Sequence, residues 1–114
     1  MKRYVHKMTV KAQGGKDFEI SFSIPQFEEQ GAESLFNNHK GEVYAAIIEG
    51  MTRMMNMKET RIACFCVGDL VFELGVEAGG DNLNRCLQYY ESIEDYETCS
   101  FIVNQLIPYI KENQ

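Results

Sequence analysis

The stretch "TRIACFCVGDLVFELGV", residues 60–76, constrains the fold more than any other part of the chain. Two apolar runs rich in β-branched and aromatic residues flank Gly68-Asp69, with glycine first, as a two-residue type II′ hairpin turn requires. Closing the hairpin there pairs Val67 with Leu70, Phe65 with Phe72 and Ala63 with Leu74. Side chains alternate between the faces of a strand, so this register makes one face wholly apolar and therefore core. The opposite face then carries Ile62, Cys64 and Cys66 against Val71, Glu73 and Gly75. It is expected to look away from the densest packing, with both cysteines beside a carboxylate.

A second hairpin is expected at the start of the chain. Tyr4, His6, Met8 and Val10 alternate with Val5, Lys7, Thr9 and Lys11, and Phe18, Ile20, Phe22 and Ile24 alternate with Asp17, Glu19, Ser21 and Ser23. Pairing Val10 with Phe18 puts both apolar sets on one face and leaves the loop Gln13-Gly14-Gly15. It also sets Thr9 opposite Glu19, His6 opposite Phe22 and Lys11 opposite Asp17. Pro25 is expected to end the second strand.

Between the hairpins, residues 26–40 form a long connection of weak pattern, of the length that in compact domains is often functional. "GEVYAAIIEGMTRMMNM" follows as a helix, with Val43, Ala46, Ile47, Gly50, Met51 and Met54 on one stripe. A glycine inside a helix costs about 1 kcal/mol against alanine, so Gly50 points to close approach of helix and sheet. The methionines read as core filling, with Ile48 and Met55 widening the apolar surface to a second face. Two more helices close the chain. Asp81 or Asn82 is expected to cap the first, which buries Leu83, Cys86, Leu87 and Tyr90. Ser92 and Asp95 have capping-box spacing for the second, which is expected to bury Tyr96, Cys99, Val103 and Leu106 and to end or kink at Pro108.

"YYESIEDYETCSFIVNQLI", residues 89–107, resembles the helical hairpin of UVR motifs, which are protein-interaction modules, in its order of acidic, aliphatic, aromatic and small residues. Val103-Asn104 stands where that motif carries an Arg-Asp pair. The resemblance implies a tight helical turn and is carried no further.

Charge limits the partners. The net charge is −6, yet residues 1–16 hold five basic residues and no acid, leaving six basic against 17 acidic ones in the remainder, a net −11. An acidic body disfavours nucleic-acid binding, which needs cations to replace phosphate counterions. No apolar run reaches bilayer length, so no membrane span is expected. The opening "MKRYVHKMTV" has no apolar signal-peptide region, which points to the cytoplasm and to reduced thiols.

The candidate chemistry is thin. Cys64 and Cys66 have Cys-x-Cys spacing, but Cys86 and Cys99 lie 13 residues apart on helical core stripes, so small buried residues account for them better than a metal does. A cysteine nucleophile needs a histidine base. His6 belongs to the core face of its strand, and His39 lies in the long connection. The carboxylate pairs Glu28-Glu29, Glu94-Asp95 and Glu73 with Glu77 sit in no catalytic frame. There is no P-loop, Rossmann glycine pattern or His-Glu-x-x-His string, so no cofactor is expected.

The expectation is one α+β domain over residues 1–114, a four-stranded antiparallel sheet from two hairpins with helices mainly on one face, in the order ββαββαα. Its leading function is a small acidic non-enzymatic protein-binding module of regulator, chaperone or inhibitor type, a homodimer or a module for another protein, acting through its sheet face or helical surface, with Ile62, Cys64, Cys66, Val71 and Glu73 as the binding patch. The alternative is a small-molecule binder or small enzyme with residues 26–40 as a lid. A deep pocket holding His39 and a carboxylate would mark it.

Overall fold

The computed structural model describes residues 6–12, 17–22, 37–67 and 70–114. The chain is α+β, built from strands β1 (His6–Ala12), β2 (Phe18–Phe22), β3 (Arg61–Val67) and β4 (Leu70–Gly75), and helices α1 (Lys40–Met57), α2 (Val76–Ser92), α3 (Tyr96–Phe101) and α4 (Ile107–Asn113). A 3₁₀ turn, Asn37–His39, leads into α1, and a π-helical turn, Ile102–Leu106, joins α3 to α4 without a break. The four strands form one antiparallel sheet in the order β2-β1-β3-β4. The Gln13-Gly14-Gly15 and Gly68-Asp69 turns, Pro25 and residues 26–36 of the long connection lie outside the described residues.

The first hairpin has the register that its alternation demands: Val10 opposes Phe18, Thr9 opposes Glu19 and His6 opposes Phe22. Val10, Phe18 and Ile20 are buried, while Thr9 and Glu19 are exposed.

The second hairpin follows expectation only near its turn. Val67 opposes Leu70 and Phe65 opposes Phe72, whose rings stack at 4.8 Å. Beyond them a β-bulge shifts the register, so that Ala63 opposes Glu73 and Ile62 opposes Leu74. An extra residue in one strand leaves two side chains where the ladder has room for one. Cys64 is that residue, and it turns inward: its exposure is 0%, and Ile62 packs against both core clusters. The expected outer face is thus corrected at Ile62 and Cys64, and the expected Ala63–Leu74 pair does not form. Arg53 of α1 donates from Nη2 to the Ala63 carbonyl at 3.2 Å, beside the interruption in the ladder.

Helix α1 lies between the sheet and the other helices. Ala46 belongs to the sheet-side cluster with Val10, Phe18, Ile20, Cys64, Phe65 and Val67. One residue on, Ile47, with Met51 and Met54, joins Leu83, Cys86, Tyr90, Ile102, Leu106 and Ile110 in the helical cluster. Met51 and Met54 are 1% and 0% exposed, so they are core, each worth about 1.5–3 kcal/mol by burial. Gly50 marks the close approach: a Cβ there would lie 2.4 Å from Cys64 Sγ.

Two helix ends share one device. The amides of Glu59 and Lys58 return to the carbonyls of Met54 and Met55, and those of Asp95 and Glu94 return to Tyr90 and Glu91. Both are Schellman ends, in which the residue after the cap is left-handed and is usually glycine. Here that residue is Lys58 at φ 56° and Glu94 at φ 61°.

Four helix details differ from the sequence expectation. Helix α2 begins at Val76, directly after β4, and not at Asp81 or Asn82. Ala78, Gly79 and Gly80 lie inside the helix, and Gly79 packs under Ile110, whose Cδ1 would stand 2.9 Å from a Cβ at that position. Asp95, and not Ser92, caps α3: it accepts from the Thr98 amide at 3.2 Å and from the Thr98 hydroxyl at 2.8 Å. The buried stripe beyond it is Cys99, Ile102, Leu106 and Ile110, leaving Tyr96 and Val103 64% and 47% exposed. Pro108 does not end the helix. The Ile107 amide reaches back five residues to Ile102, and this wider turn accommodates a proline that has no N–H and whose ring crowds the carbonyl four residues earlier.

Candidate functional site

A cleft of about 180 Å³ opens between the start of α1, the β3–β4 hairpin and the middle of α2. Its walls are Val43, Tyr44 and Ile47 from α1, Cys64 and Phe65 from β3, and Phe72 and Leu74 from β4. Asn37, Lys40, Glu73, Asn82 and Arg85 supply the polar lining. For scale, a dry cavity of roughly 150 Å³ holds a benzene ring. The cleft therefore has room for one ring or one branched alkyl group. An apolar concavity with a few convergent polar groups is the usual form of a binding site.

The local sequence explains the shape. The bulge at Cys64 brings Cys64 and Phe65 inward side by side, while α1 approaches the sheet at Gly50 and α2 starts immediately at Val76. The cleft lies where these three elements diverge. Tyr44 and Tyr89, with ring centroids 5.0 Å apart, pack α1 against α2.

The proposed patch is divided by this geometry. Cys64 lines the cleft from the core side, and Ile62 is half-buried against both clusters. Val71 is 50% exposed and Cys66 is half-buried on the open side of the sheet, while the exposed Glu73 also joins the polar lining of the cleft. Arg61 bridges Glu73, at 3.3 Å, and Glu77, bringing together the two carboxylates that the sequence had paired. All three side chains are solvent-exposed, where such pairs contribute little to stability.

The thiol chemistry is quiet. Burial pushes the Cys64 thiol up to about 11, against the opposing pull of the Arg53 guanidinium. It pushes Cys86 up to about 12, with the nearby Cys64 adding to the effect. Both are protonated at neutral pH, and a protonated thiol is a poor nucleophile. All four cysteines are free thiols. His39 packs tilted against Phe18, with ring centroids 5.1 Å apart, and its Nδ1 lies 3.9 Å from the Glu42 carboxylate. It does not line the cleft, although Asn37 and Lys40 on either side do. Among the described residues no group of three His, Cys, Asp or Glu is placed to hold a metal ion, and no helix is long and apolar enough to cross a membrane.

Sequence reasoning missed the cleft because its walls come from four separate segments. The sequence held no signal for it, because the bulge shows only in the pairing of Ala63 with Glu73 and of Phe65 with Phe72.

No family model, no curated protein and no solved structure matches this chain. What fold and site define is an α+β protein with an apolar cleft held between a bulged hairpin and two helices.

Proposed function

We propose that the protein is a binding module that takes one bulky apolar side chain of a partner protein into the cleft. The observation that carries this reading is the make-up of the cleft: apolar walls from Val43, Ile47, Phe65, Phe72 and Leu74, and a polar lining of amide and charged groups. A buried ring or branched side chain is worth about 1.5–3 kcal/mol, enough to anchor an interface of modest affinity. The protonated thiols and the placement of His39 outside the cleft favour binding over nucleophilic catalysis. The expected outer patch is not needed as a continuous surface. Val71 and Cys66 are its remaining apolar part.

The test is to pan a random peptide library on the full chain and to measure the enriched peptides on wild type and on Asn82→Phe. Asn82 lines the cleft and is only half-buried, so a ring there fills the opening without entering the core. The enriched peptides should share one aromatic or leucine residue and bind Asn82→Phe about tenfold more weakly or worse, with an unchanged urea midpoint. Peptides that bind both proteins equally, or no enrichment, would defeat the proposal.

A further inference from the structure

The lining of the cleft is graded from rim to floor. Its polar members Asn37, Lys40, Glu73 and Arg85 are all exposed and Asn82 is half-buried, so they form a rim. Its buried members are Ile47, Cys64 and Phe65, at 8%, 0% and 7% exposure, and they form the floor. Among the described residues the floor therefore carries no side-chain oxygen or nitrogen. Its one polar side-chain atom is the Cys64 sulfur, and a thiol is a weak donor and a weak acceptor.

Wall chemistry and size narrow the occupant further. Tyr44, Phe65 and Phe72 of the lining are aromatic, and the rings of Phe65 and Phe72 stack 24° from parallel with centroids 4.8 Å apart. A ring entering beside this pair gains an aromatic contact beyond its area burial, which an alkyl group of the same size does not. The volume of about 180 Å³ is slightly more than the roughly 150 Å³ that holds benzene. Indole, with a second fused ring, needs about half as much space again, so part of it would stay at the polar rim.

Resting on the cleft reading above, we infer that the side chain the cleft selects is phenylalanine, entering ring first, with the partner's main chain left at the rim. Tyrosine in the same pose carries its hydroxyl down to Ile47, Cys64 and Phe65, where no side-chain oxygen or nitrogen receives it. A hydroxyl buried without a partner loses its water for nothing in return. Leucine reaches the same floor but gains no aromatic contact, and tryptophan overfills the space. The partner is thus a protein segment that presents an accessible phenylalanine, and the rim of amide and charged groups faces its solvated backbone.

The experiment takes one enriched peptide and places phenylalanine, tyrosine, cyclohexylalanine, leucine and tryptophan in turn at its anchor position. Each version is measured on the wild-type chain and on Asn82→Phe, so that the difference between the two proteins reports what the cleft supplies. On the wild type, phenylalanine should bind most tightly, with tyrosine weaker by about tenfold or more. Cyclohexylalanine, leucine and tryptophan should be weaker by about threefold or more. On Asn82→Phe these differences should collapse. Cleft-dependent peptides that bind as well with tyrosine as with phenylalanine would show a hydroxyl partner on the floor, overturning the inference and leaving the cleft reading standing. A cleft-dependent preference for leucine or tryptophan, or cyclohexylalanine as tight as phenylalanine, would overturn it in the same way. Absence of any cleft-dependent peptide would remove both. A dimer of the chain alone that dissociates as peptide is added would give the cleft to a second copy and overturn the inference.

Discussion

Replacing Gly50 with alanine should destabilise the protein, although alanine is the better helix former by about 1 kcal/mol. A Cβ at position 50 would stand 2.4 Å from Cys64 Sγ, far inside the 3.5–4.0 Å at which heavy atoms attract. Either α1 moves off the sheet or Cys64 leaves its rotamer, and overpacking of this kind costs about 1–3 kcal/mol. The net loss is therefore up to about 2 kcal/mol after the helix gain. The same substitution should change sign once the sulfur is gone. The next atoms are Cys64 Cβ at 3.7 Å and Ile62 Cγ2 at 3.8 Å, which are ordinary contacts. In a Cys64→Ala background, Gly50→Ala should then stabilise by about 1 kcal/mol, a coupling between the two sites of about 1–3 kcal/mol. Urea unfolding of the four proteins measures the cycle, with constant m-values as the check that one transition is being compared. If Gly50→Ala stabilises the wild type, the helix does not approach the sheet there. If it is equally damaging in both backgrounds, Cys64 does not face Gly50 and the bulge is misplaced.

That cycle also separates what was legible in the sequence from what was not. Gly50 announced a close approach, because a helix interior tolerates glycine only where something displaces the side chain. Period-two alternation set the first hairpin's register, and the pairs Val67–Leu70 and Phe65–Phe72 followed from Gly68-Asp69. The bulge was hidden for a physical reason: Ile62, Ala63, Cys64, Phe65, Cys66 and Val67 are all apolar or small, so the sequence carries no polar marker to show a change of face. The helical stripe 96-99-103-106 and the observed stripe 99-102-106-110 both have helical spacing, and tertiary packing against Ile47 and Leu83 selects the second. The start of α2 at Val76 was hidden because the partner that makes Gly79 useful inside a helix, Ile110, is 31 residues away. The cleft depends on the bulge and on the early start of α2, so it became visible only with both.

Two other predictions concern stability and the thiols. Lys58→Gly and Glu94→Gly should each raise stability by about 1 kcal/mol, because each removes a left-handed non-glycine residue from a Schellman end; a loss in urea unfolding at either site would mean that its side chain makes contacts worth more than the strain. The buried Cys64 and Cys86 keep their protons in the folded state, so the stability they confer is complete below the unfolded thiol value near 9 and is lost as pH rises through 11 and 12. Each thiol should contribute a fall of about 1.4 kcal/mol per pH unit across that window, and urea midpoints that stay flat from pH 8 to 10 would show that these thiols are not buried.

The claim that the cleft receives a partner's side chain is tested most directly by methyl NMR of the full chain titrated with a peptide enriched on it. Binding should shift the methyls of Val43, Ile47 and Leu74, which line the cleft, and leave those of the exposed Ile93 and Val103 in place. Shifts confined to Ile93 or Val103, with the cleft methyls unmoved, would place the binding surface on the α2–α3 hairpin and contradict the account.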